Sequence, residues 1–431
     1  MAGETRTIKT EALARVEGEG ALHLKLVDGR AEEVRLAIYE PPRFFEGLLR
    51  GRRFDEAPDI TARICGICPV AYQTSAMLAL EDAAGVEVPE PIRNLRRLLY
   101  CGEWLQSHAL HVFLLHAPDF FGLDDGFALA ERAGDVVRRG LEIKRVGNTI
   151  MEVVGGRAVH PVNPRVGGFW RVPSRGELAP LRPQLEAARD AALATLAWTA
   201  TLEIPEIERD VPFLAVHDPD GYAIDRGTLH ASTGAAFTPR AWDDHVVEDQ
   251  VAHSSALHAT LDGASPYLTG PLARWALNGA QLPGWLRDAA AAAGLPVPCR
   301  NPFASIQVRA AEMAWAADEA LRLVEAYAPP DVPFVEVAPR NASGFGVSEA
   351  PRGALHHGYD VDADGLITGA RIVPPTAQNQ AAIEADIRAT AEANTMLDDT
   401  ALAWRCEQAI RNHDPCISCA AHFLTLTVER G

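Results

Sequence analysis

The sequence has few cysteines for its length and no long apolar run. Seven cysteines among 431 residues are too few for a disulfide-stabilised scaffold, and an odd number leaves one thiol unpaired. There is no stretch of about eighteen apolar residues, and residues 1–20 lack the apolar core of a signal peptide. These absences predict a cytoplasmic protein without a direct membrane span.

Positive charge is also scarce. The chain has 40 Lys and Arg against 58 Asp and Glu, which gives a net charge of -18. This charge repels a phosphate backbone, and no aromatic-basic stacking motif is present, so nucleic acid is excluded as a predicted partner. A hydrophobic content of 48% supplies material for a large core.

Hydrophobic periodicity predicts two hairpins and several long helices. Alternating apolar residues in 21–39 flank the turn dipeptide Asp28-Gly29, and 359–373 repeats this pattern. Helical periodicity occurs at 69–84, 91–116, 177–203, 304–327 and 380–411. The predicted fold class is α+β and mainly helical, with a central bundle of long helices and peripheral β hairpins.

One catalytic unit is predicted for the whole chain, 1–431, because no internal repeat or low-complexity linker divides it. Its predicted parts are a β-rich N-terminal part (1–60), a helical core with the metal site (61–203 and 302–422), an irregular Pro/Gly-rich insertion (204–301) and a C-terminal tail (423–431).

Two Cys-x-x-Cys pairs stand near opposite ends of the chain, Cys65 with Cys68 and Cys416 with Cys419. Each pair can offer two thiolates to one metal site. The 347 residues between the pairs exclude a local zinc ribbon. Four thiolates suit zinc, an iron–sulfur cluster or nickel, and spacing alone favours a structural zinc. A thioredoxin-like dithiol is less favoured, because neither pair opens an evident βαβ unit.

The residues around both pairs resemble the signature motifs of the nickel–iron hydrogenase large subunit. The first motif reads RICGIC at 63–68, and the second reads DPCISCAAH at 414–422. Three further blocks match: RVEG at 15–18, FEGLLRGR at 45–52 and EAPRG at 349–353. The resemblance runs from about residue 13 to residue 422, and it implies the hydrogenase large-subunit fold with both cysteine pairs at its centre.

The resemblance implies a metal centre of nickel and of iron that carries carbonyl and cyanide ligands. Cys65 and Cys416 would be terminal nickel ligands, while Cys68 and Cys419 would bridge the two metals. The implied reaction is reversible heterolytic cleavage of dihydrogen. Cys416 would be the base, because a metal-bound thiolate stays deprotonated and retains lone pairs.

Further residues receive roles from the same resemblance. Arg352 would lie over the metals near the cyanides, with Asp414 as its partner, and Pro351 and Thr376 would line the cofactor. Glu17 would take the proton from the terminal cysteine. The alternatives are a capping or surface arginine, an Asp-Pro turn and a solvated glutamate.

A magnesium site is also implied, with Glu46 and His422 as ligands. A carboxylate suits this hard cation, whereas imidazole is not its usual donor. His108, His111 and His116 are expected either to line a proton path or brace the metal loop, or to be buried structural histidines; none is predicted as a ligand.

The chain departs from the family pattern at three positions. Tyr72 replaces a histidine that follows the second cysteine in many members, and Ser107 stands where many respiratory members have an aspartate. In the loop that often donates a hydroxyl to cyanide, Pro375 has no donor. With these changes the chain resembles the cytosolic bidirectional NAD(P)-linked hydrogenases more than the membrane-facing uptake enzymes.

Partner proteins follow from the cysteine count. Cys101, Cys299 and Cys406 are too scattered to hold a cluster, so the electrons of the implied reaction require an iron–sulfur small subunit. The resemblance to the NAD(P)-linked group implies further flavin subunits that reduce NAD(P). The resemblance also implies nickel chaperones and a maturation protease that removes 423–431; a permanent edge strand is the alternative for this tail. The alternative function is a non-catalytic scaffold subunit with a structural four-cysteine zinc site.

Overall fold

The computed structural model describes residues 5–421. Its first sheet is antiparallel, in the order β1 (Thr5–Thr10), β2 (Gly20–Val27) and β3 (Arg30–Ile38). Asp28 and Gly29 join β2 to β3 with φ of 51° and 75°, as the two central positions of a type I′ turn require. The leucines of β2 are buried and alternate with half-exposed residues, so the first predicted hairpin is confirmed.

Ten further strands in the described residues form four small antiparallel sheets. Strands β11, β12 and β13 make the largest of these, and β12 with β13 forms the second predicted hairpin. The strands are β4 (Pro164–Arg165), β5 (Gly168–Phe169), β6 (Leu214–His217), β7 (Thr228–Ala231), β8 (Ala236–Phe237), β9 (Val246–Asp249), β10 (His258–Leu261), β11 (Ala342–Ala350), β12 (Gly353–Val361) and β13 (Ile367–Val373).

Fifteen α-helices lie in residues 5–421. They are α1 (Phe45–Leu49), α2 (Ala57–Thr61), α3 (Pro69–Ala84), α4 (Glu90–Leu110), α5 (Gly126–Arg132), α6 (Gly134–Gly155), α7 (Arg175–Leu178), α8 (Leu181–Thr199), α9 (Trp242–His245), α10 (Pro271–Asn278), α11 (Gly284–Ala292), α12 (Ser305–Glu325), α13 (Pro375–Ala393), α14 (Asp399–Asn412) and α15 (Ile417–Ala420). Among these described helices, none is both long enough and apolar enough to cross a bilayer.

The long helices pack around α4, which contacts both α6 and α12, while α12 also contacts α8. Gly102 of α4 faces Gly147 of α6 so closely that a Cβ on Gly147 would lie 2.5 Å from the Gly102 carbonyl oxygen. Helix α3 covers β11 and β12, where a Cβ on Gly344 would lie 2.0 Å from the Ala79 carbonyl oxygen. Glycine at these positions allows the close backbone approach that positions α3 and α4.

Three predicted helices differ in their extent. The helix expected over 177–203 is divided into α7 and α8 and ends at Thr199. The helix expected over 380–411 is divided into α13 and α14, because Asp398 caps a new helix by accepting the Ala401 N–H at 2.8 Å. The helix expected to reach His116 ends at Leu110, and a π-helical turn continues from His111 to His116. Between the two helical parts of the chain, 204–301 contains five short strands and three helices.

Candidate metal centre

Four cysteine thiols meet in the interior of the molecule. Cys65 follows a 3₁₀ turn, Cys68 precedes α3, Cys416 precedes α15, and Cys419 lies in α15. The sulfur atoms are 3.4 Å apart in Cys65–Cys416, 3.7 Å in Cys68–Cys419 and 2.8 Å in Cys416–Cys419. All four lie within 4.8 Å of one another, and no residue of the set is more than 3% exposed.

Backbone groups hold both cysteine loops in place. Cys65 Sγ accepts N–H groups from Ile67 at 3.3 Å and Cys68 at 3.4 Å, and such donors favour a charged sulfur. The Ile417 N–H donates to the Glu17 carbonyl oxygen at 2.9 Å. The N-terminal segment therefore fastens the C-terminal cysteine loop.

The four buried, closely spaced sulfur atoms are suited to binding a metal. The structure contains no disulfide among the seven cysteines, all of which lie within residues 5–421. Burial raises the pKa of the Cys416 thiol well above its ordinary value, because the interior solvates a lone thiolate poorly. A metal cation among the sulfurs supplies the missing stabilisation, and four soft donors suit nickel with iron, or zinc.

Arg352 is held beside the cluster by Asp414. Its Nε donates to the Asp414 carbonyl oxygen at 2.7 Å and its Nη2 to Asp414 Oδ1 at 3.0 Å, and neither residue is more than 3% exposed. Burial lowers the pKa of Arg352, but the negative charges of Asp414 and of the cysteine sulfurs together outweigh this effect and place the pKa well above its ordinary value. Arg352 Nη1 has no hydrogen-bond partner in the part of the chain described.

Glu17 and Thr376 contact Cys416 from different elements. The Cys416 thiol donates to Glu17 Oε2 at 3.1 Å, and the same oxygen accepts the Ser418 N–H at 3.1 Å. The Cys416 N–H donates to Thr376 Oγ1 at 3.0 Å. Thr376 is buried in the first turn of α13, where Pro375 occupies the first helical position and needs no donor.

The three histidines of residues 108–116 contact the helices α12 and α14. His111 Nε2 donates to the Arg411 carbonyl oxygen at 2.8 Å, and His116 Nε2 donates to Asn412 Oδ1 at 2.8 Å. His108 Nε2 lies 2.9 Å from a carboxylate oxygen of α12. Burial lowers the pKa of His108 to about 4 and of His116 to about 3, so both are neutral near pH 7. These contacts match a bracing role.

An ion-pair network that the motifs did not reveal joins three distant segments. Arg411 donates to both carboxylate oxygens of Asp119 at 2.8 Å, and Arg15 Nη2 donates to Asp119 Oδ1 at 2.6 Å. Asp119 thus ties the last turn of α14, which leads into the Cys416 loop, to the N-terminal RVEG block. Since no local pattern marks its partners, sequence reasoning had no signal for this contact.

Glu103 is a second buried carboxylate that sequence reasoning missed. It accepts the Val70 N–H at 2.6 Å and the Ala71 N–H at 3.1 Å, at the start of α3 directly after Cys68. A carboxylate there stabilises the helix N-terminus. The available signal is its place in LLYCGEWLQ, a helix stretch that is otherwise uncharged.

Pro351 precedes Arg352 and turns its carbonyl oxygen toward Arg274, whose Nη2 donates to it at 3.1 Å. Arg274 Nη1 also donates to Glu349 Oε2 at 3.0 Å. Both Arg274 and Glu349 are 0% exposed, so this buried ion pair holds residues 349–353 in place.

At the positions that depart from the family pattern, the replacing side chains are buried. Burial raises the pKa of Tyr72 well above its ordinary value, which keeps the phenol neutral. The ring of His357, from β12, lies 5.7 Å from the Tyr72 ring between centroids. Ser107 Oγ has no hydrogen-bond partner within residues 5–421.

Glu46 lies apart from the cysteines, in a cavity of about 380 Å³ that Glu248 and Ala420 also line. Its Oε1 accepts the Ile372 N–H at 2.7 Å. Burial raises the pKa of Glu46 and of Glu248 to about 7, so a cation bound between them would favour their charged forms. His422, the other predicted ligand, and the tail 423–431 lie outside the described residues.

A comparison with protein families matches residues 43–131 and 309–422 to the nickel-dependent hydrogenase model. These ranges include both cysteine pairs, Glu46 and Arg352.

Curated relatives match nearly the whole chain. Sulfhydrogenase 1 subunit alpha of Pyrococcus furiosus is 34% identical over 423 residues, covering 97% of this chain and 98% of the relative. Sulfhydrogenase 2 subunit alpha of the same organism is 33% identical over 430 residues, covering 97% and 100%.

Solved structures share the fold. A chain of an NAD⁺-reducing [NiFe]-hydrogenase in the H₂-reduced state superposes with a TM-score of 0.88 at 28% identity, covering 97% of this chain and 99% of that chain. The reduced Ni-Fe-Se hydrogenase from D. vulgaris Hildenborough has a TM-score of 0.78 at 23% identity, covering 97% and 100%, which supports the fold alone. The predicted α+β, mainly helical fold class is confirmed.

We expect Thr376→Val to weaken the metal site, because it removes the acceptor of the buried Cys416 N–H while nearly keeping the side-chain volume. An unpaired buried donor costs about 1–3 kcal/mol. The variant should show a lower thermal unfolding midpoint and less nickel per chain, measured on protein from its own host. Thr376→Ser retains the hydroxyl and should behave as wild type; a Val variant with unchanged midpoint and nickel content would contradict this role.

Proposed function

The chain belongs to the nickel-dependent hydrogenase family, and from this membership we propose that it is the large subunit of a nickel–iron hydrogenase that reversibly cleaves dihydrogen into protons and electrons. The observation that carries the proposal is the buried four-sulfur cluster, built from both ends of the chain within 4.8 Å. Its partners Arg352 and Glu17 are a charged donor and a proton acceptor beside the same sulfurs.

In this proposal Cys65 and Cys416 would hold nickel, Cys68 and Cys419 would be shared between nickel and iron, and the iron would carry carbonyl and cyanide ligands. When bound, the metal pair supplies the Lewis acidity that activates dihydrogen and accepts its electrons. Cys416 is suited to the first proton, because its sulfur is the one in contact with a carboxylate oxygen.

The proton then passes from Cys416 to Glu17 across the 3.1 Å contact. The Ser418 N–H orients the Glu17 carboxylate toward the sulfur. The Ser418 hydroxyl donates to Glu40 Oε2 at 3.0 Å, so Ser418 contacts both Glu17 and a partly exposed second carboxylate. A carboxyl group at hydrogen-bond distance satisfies the geometric requirement for proton exchange.

Arg352 acts by charge and position in this scheme. Two of its nitrogens are engaged by Asp414, which fixes the plane of the guanidinium. Its remaining Nη1 is buried, and a fixed charged donor in a dry site stabilises developing negative charge more strongly than one in water. Pro351 and Thr376 complete the proposed lining of the cofactor.

Magnesium is proposed at the cavity of Glu46, with His422 as a further ligand. The partly buried carboxylates of Glu46 and Glu248 provide the hard oxygen donors that this cation prefers. The cavity is also lined by Ala420, two residues before His422 in the chain.

The electrons require partner subunits. Cys101, Cys299 and Cys406 are separately buried and do not join the four-cysteine cluster. We therefore propose an iron–sulfur small subunit and, beyond it, flavin subunits that reduce NAD(P) in the cytoplasm; the NAD⁺-reducing activity named for the structural neighbour supports this acceptor. Nickel chaperones and a protease that cuts after His422 remain predictions.

The first test is metal content and hydrogen uptake of the complex purified without oxygen from its own host. We expect nickel and iron in equal amounts on this subunit, together with hydrogen-dependent reduction of NAD(P). Cys416→Ser should abolish uptake. Zinc alone at the four cysteines, without nickel, would support the scaffold function and contradict a hydrogenase.

The proton route predicts that Glu17→Gln retains the metals and loses turnover. The glutamine carbonyl can still accept the Ser418 N–H, but it cannot take a proton, so hydrogen uptake should fall about 10²–10⁴-fold. Nickel and iron per chain are measured in the same samples. The exposed neighbour Glu19, changed to Gln, is the matched control, and full uptake by Glu17→Gln would exclude this route.

The magnesium site predicts that Glu46→Gln loses the cation. The amide can still accept the Ile372 N–H, but the neutral side chain is a much weaker magnesium ligand than a carboxylate. Magnesium per chain should fall below half of the wild-type content while nickel remains; the exposed Glu142, changed to Gln, should leave both unchanged. Wild-type magnesium in the Glu46 variant would contradict the assignment.

A further inference from the structure

A second cluster of metal-binding side chains contains no cysteine and shares no residue with the Glu46 cavity. His253, His258 and Glu384 each offer one ligand atom, and the three atoms lie within 4.8 Å of one another. His253 lies between β9 and β10, His258 begins β10, and Glu384 lies within α13. Side chains from two separate parts of the chain therefore converge here.

His258 carries the strongest sign of a missing ligand. It is 9% exposed, and its Nε2 is buried without a hydrogen-bond partner among the residues described. Burial also lowers the pKa of His258, which favours the neutral imidazole that metals bind. A buried ring nitrogen without a partner is costly, and a metal ion at the cluster provides the partner that this imidazole lacks.

The other two side chains are already oriented toward each other. His253 Nε2 donates to Glu384 Oε1 at 2.7 Å, and the same oxygen accepts the Leu36 N–H of β3 at 2.8 Å. The backbone of β3 thus fixes the carboxylate in the way that outer contacts orient metal ligands. The side chains of His253 and Glu384 are 22% and 17% exposed, which leaves an entry path from solvent.

We propose that His253, His258 and Glu384 bind a zinc ion, separate from the nickel–iron centre. Two imidazoles and a carboxylate are a frequent zinc donor set, with a fourth position open to water. Bonds of about 2.0–2.2 Å place tetrahedral ligand atoms roughly 3.3 Å apart. The present separations, 2.7 Å between His253 Nε2 and Glu384 Oε1 and no more than 4.8 Å for any pair, are on either side of this value.

The ion would fasten the segment between β9 and β10 to β3 and α13. This segment already contacts β3, since the Ser255 N–H donates to the Ile38 carbonyl oxygen at 2.8 Å. Its Ala256 packs with Ile417 and Ala420 of α15, the helix that carries Cys419. A zinc ion here would therefore stabilise the packing of this segment against α15, which carries Cys419.

The test uses the nickel-loaded complex, so that the four cysteines are already occupied. The complex is treated with a chelator until its zinc is removed while nickel and iron remain, and Zn²⁺ is then added in equilibrium dialysis. We expect one additional zinc per chain in the wild type. His258→Gln and Glu384→Gln should each weaken zinc binding at least about tenfold, with nickel and iron unchanged.

His245→Gln is the matched control, because His245 donates to Asp262 at 2.9 Å on the surface without a second histidine at the contact. It should bind zinc as the wild type does. Glu384→Gln retains an acceptor for the Leu36 N–H, so it tests the site even if the His258 variant fails to fold.

X-ray absorption at the zinc edge identifies the ligands independently of the variants. Nitrogen and oxygen neighbours with imidazole scattering are expected. Sulfur in the zinc shell would place the ion at cysteines, and the absence of additional zinc in the wild type would leave His253 and Glu384 as a simple hydrogen-bonded pair; either result would overturn the proposal.

Discussion

Bringing four sulfur atoms within 4.8 Å of one another in a buried site is the constraint on which the rest of this structure depends. Sulfurs at this spacing are costly without a cation, because crowded thiolates repel and the interior solvates them poorly. The surroundings reduce this cost before any metal binds. Backbone N–H groups point at Cys65, and the guanidinium of Arg352 remains charged beside the cluster.

The same constraint explains why the segment before Cys416 is fixed to earlier parts of the chain. Asp119 binds both Arg411 and Arg15, so one carboxylate ties the end of α14 to the RVEG block. The π-helical turn after α4 serves this geometry, since its first and last residues, His111 and His116, donate to Arg411 and Asn412 in the last turn of α14, directly before the second cysteine loop.

Local sequence patterns were sufficient to predict the secondary-structure elements whose signals lie within a few residues of one another. The Asp28-Gly29 hairpin and α3, bounded by Pro69 and Gly85, follow from turn chemistry and periodicity. The convergence of the cysteine pairs required a family motif, because no local rule joins residues 351 positions apart. Glu103 and His258 were missed for a related reason: their importance lies in contacts with distant segments, and neither stands in a recognised motif.

The arginine beside the cluster depends on a single carboxylate for its position. Within the described residues Asp414 is the only carboxylate that bonds Arg352, and the nearby helix α4 has the uncharged Ser107 before His108. Asp414 stands two residues before Cys416 and has a φ of 53°, which turns the chain sharply toward the sulfur. Any movement of this turn therefore displaces the guanidinium and the thiol together. The positions of the Arg352 charge and of the Cys416 sulfur, the proposed first proton acceptor, are consequently set by one turn of the chain.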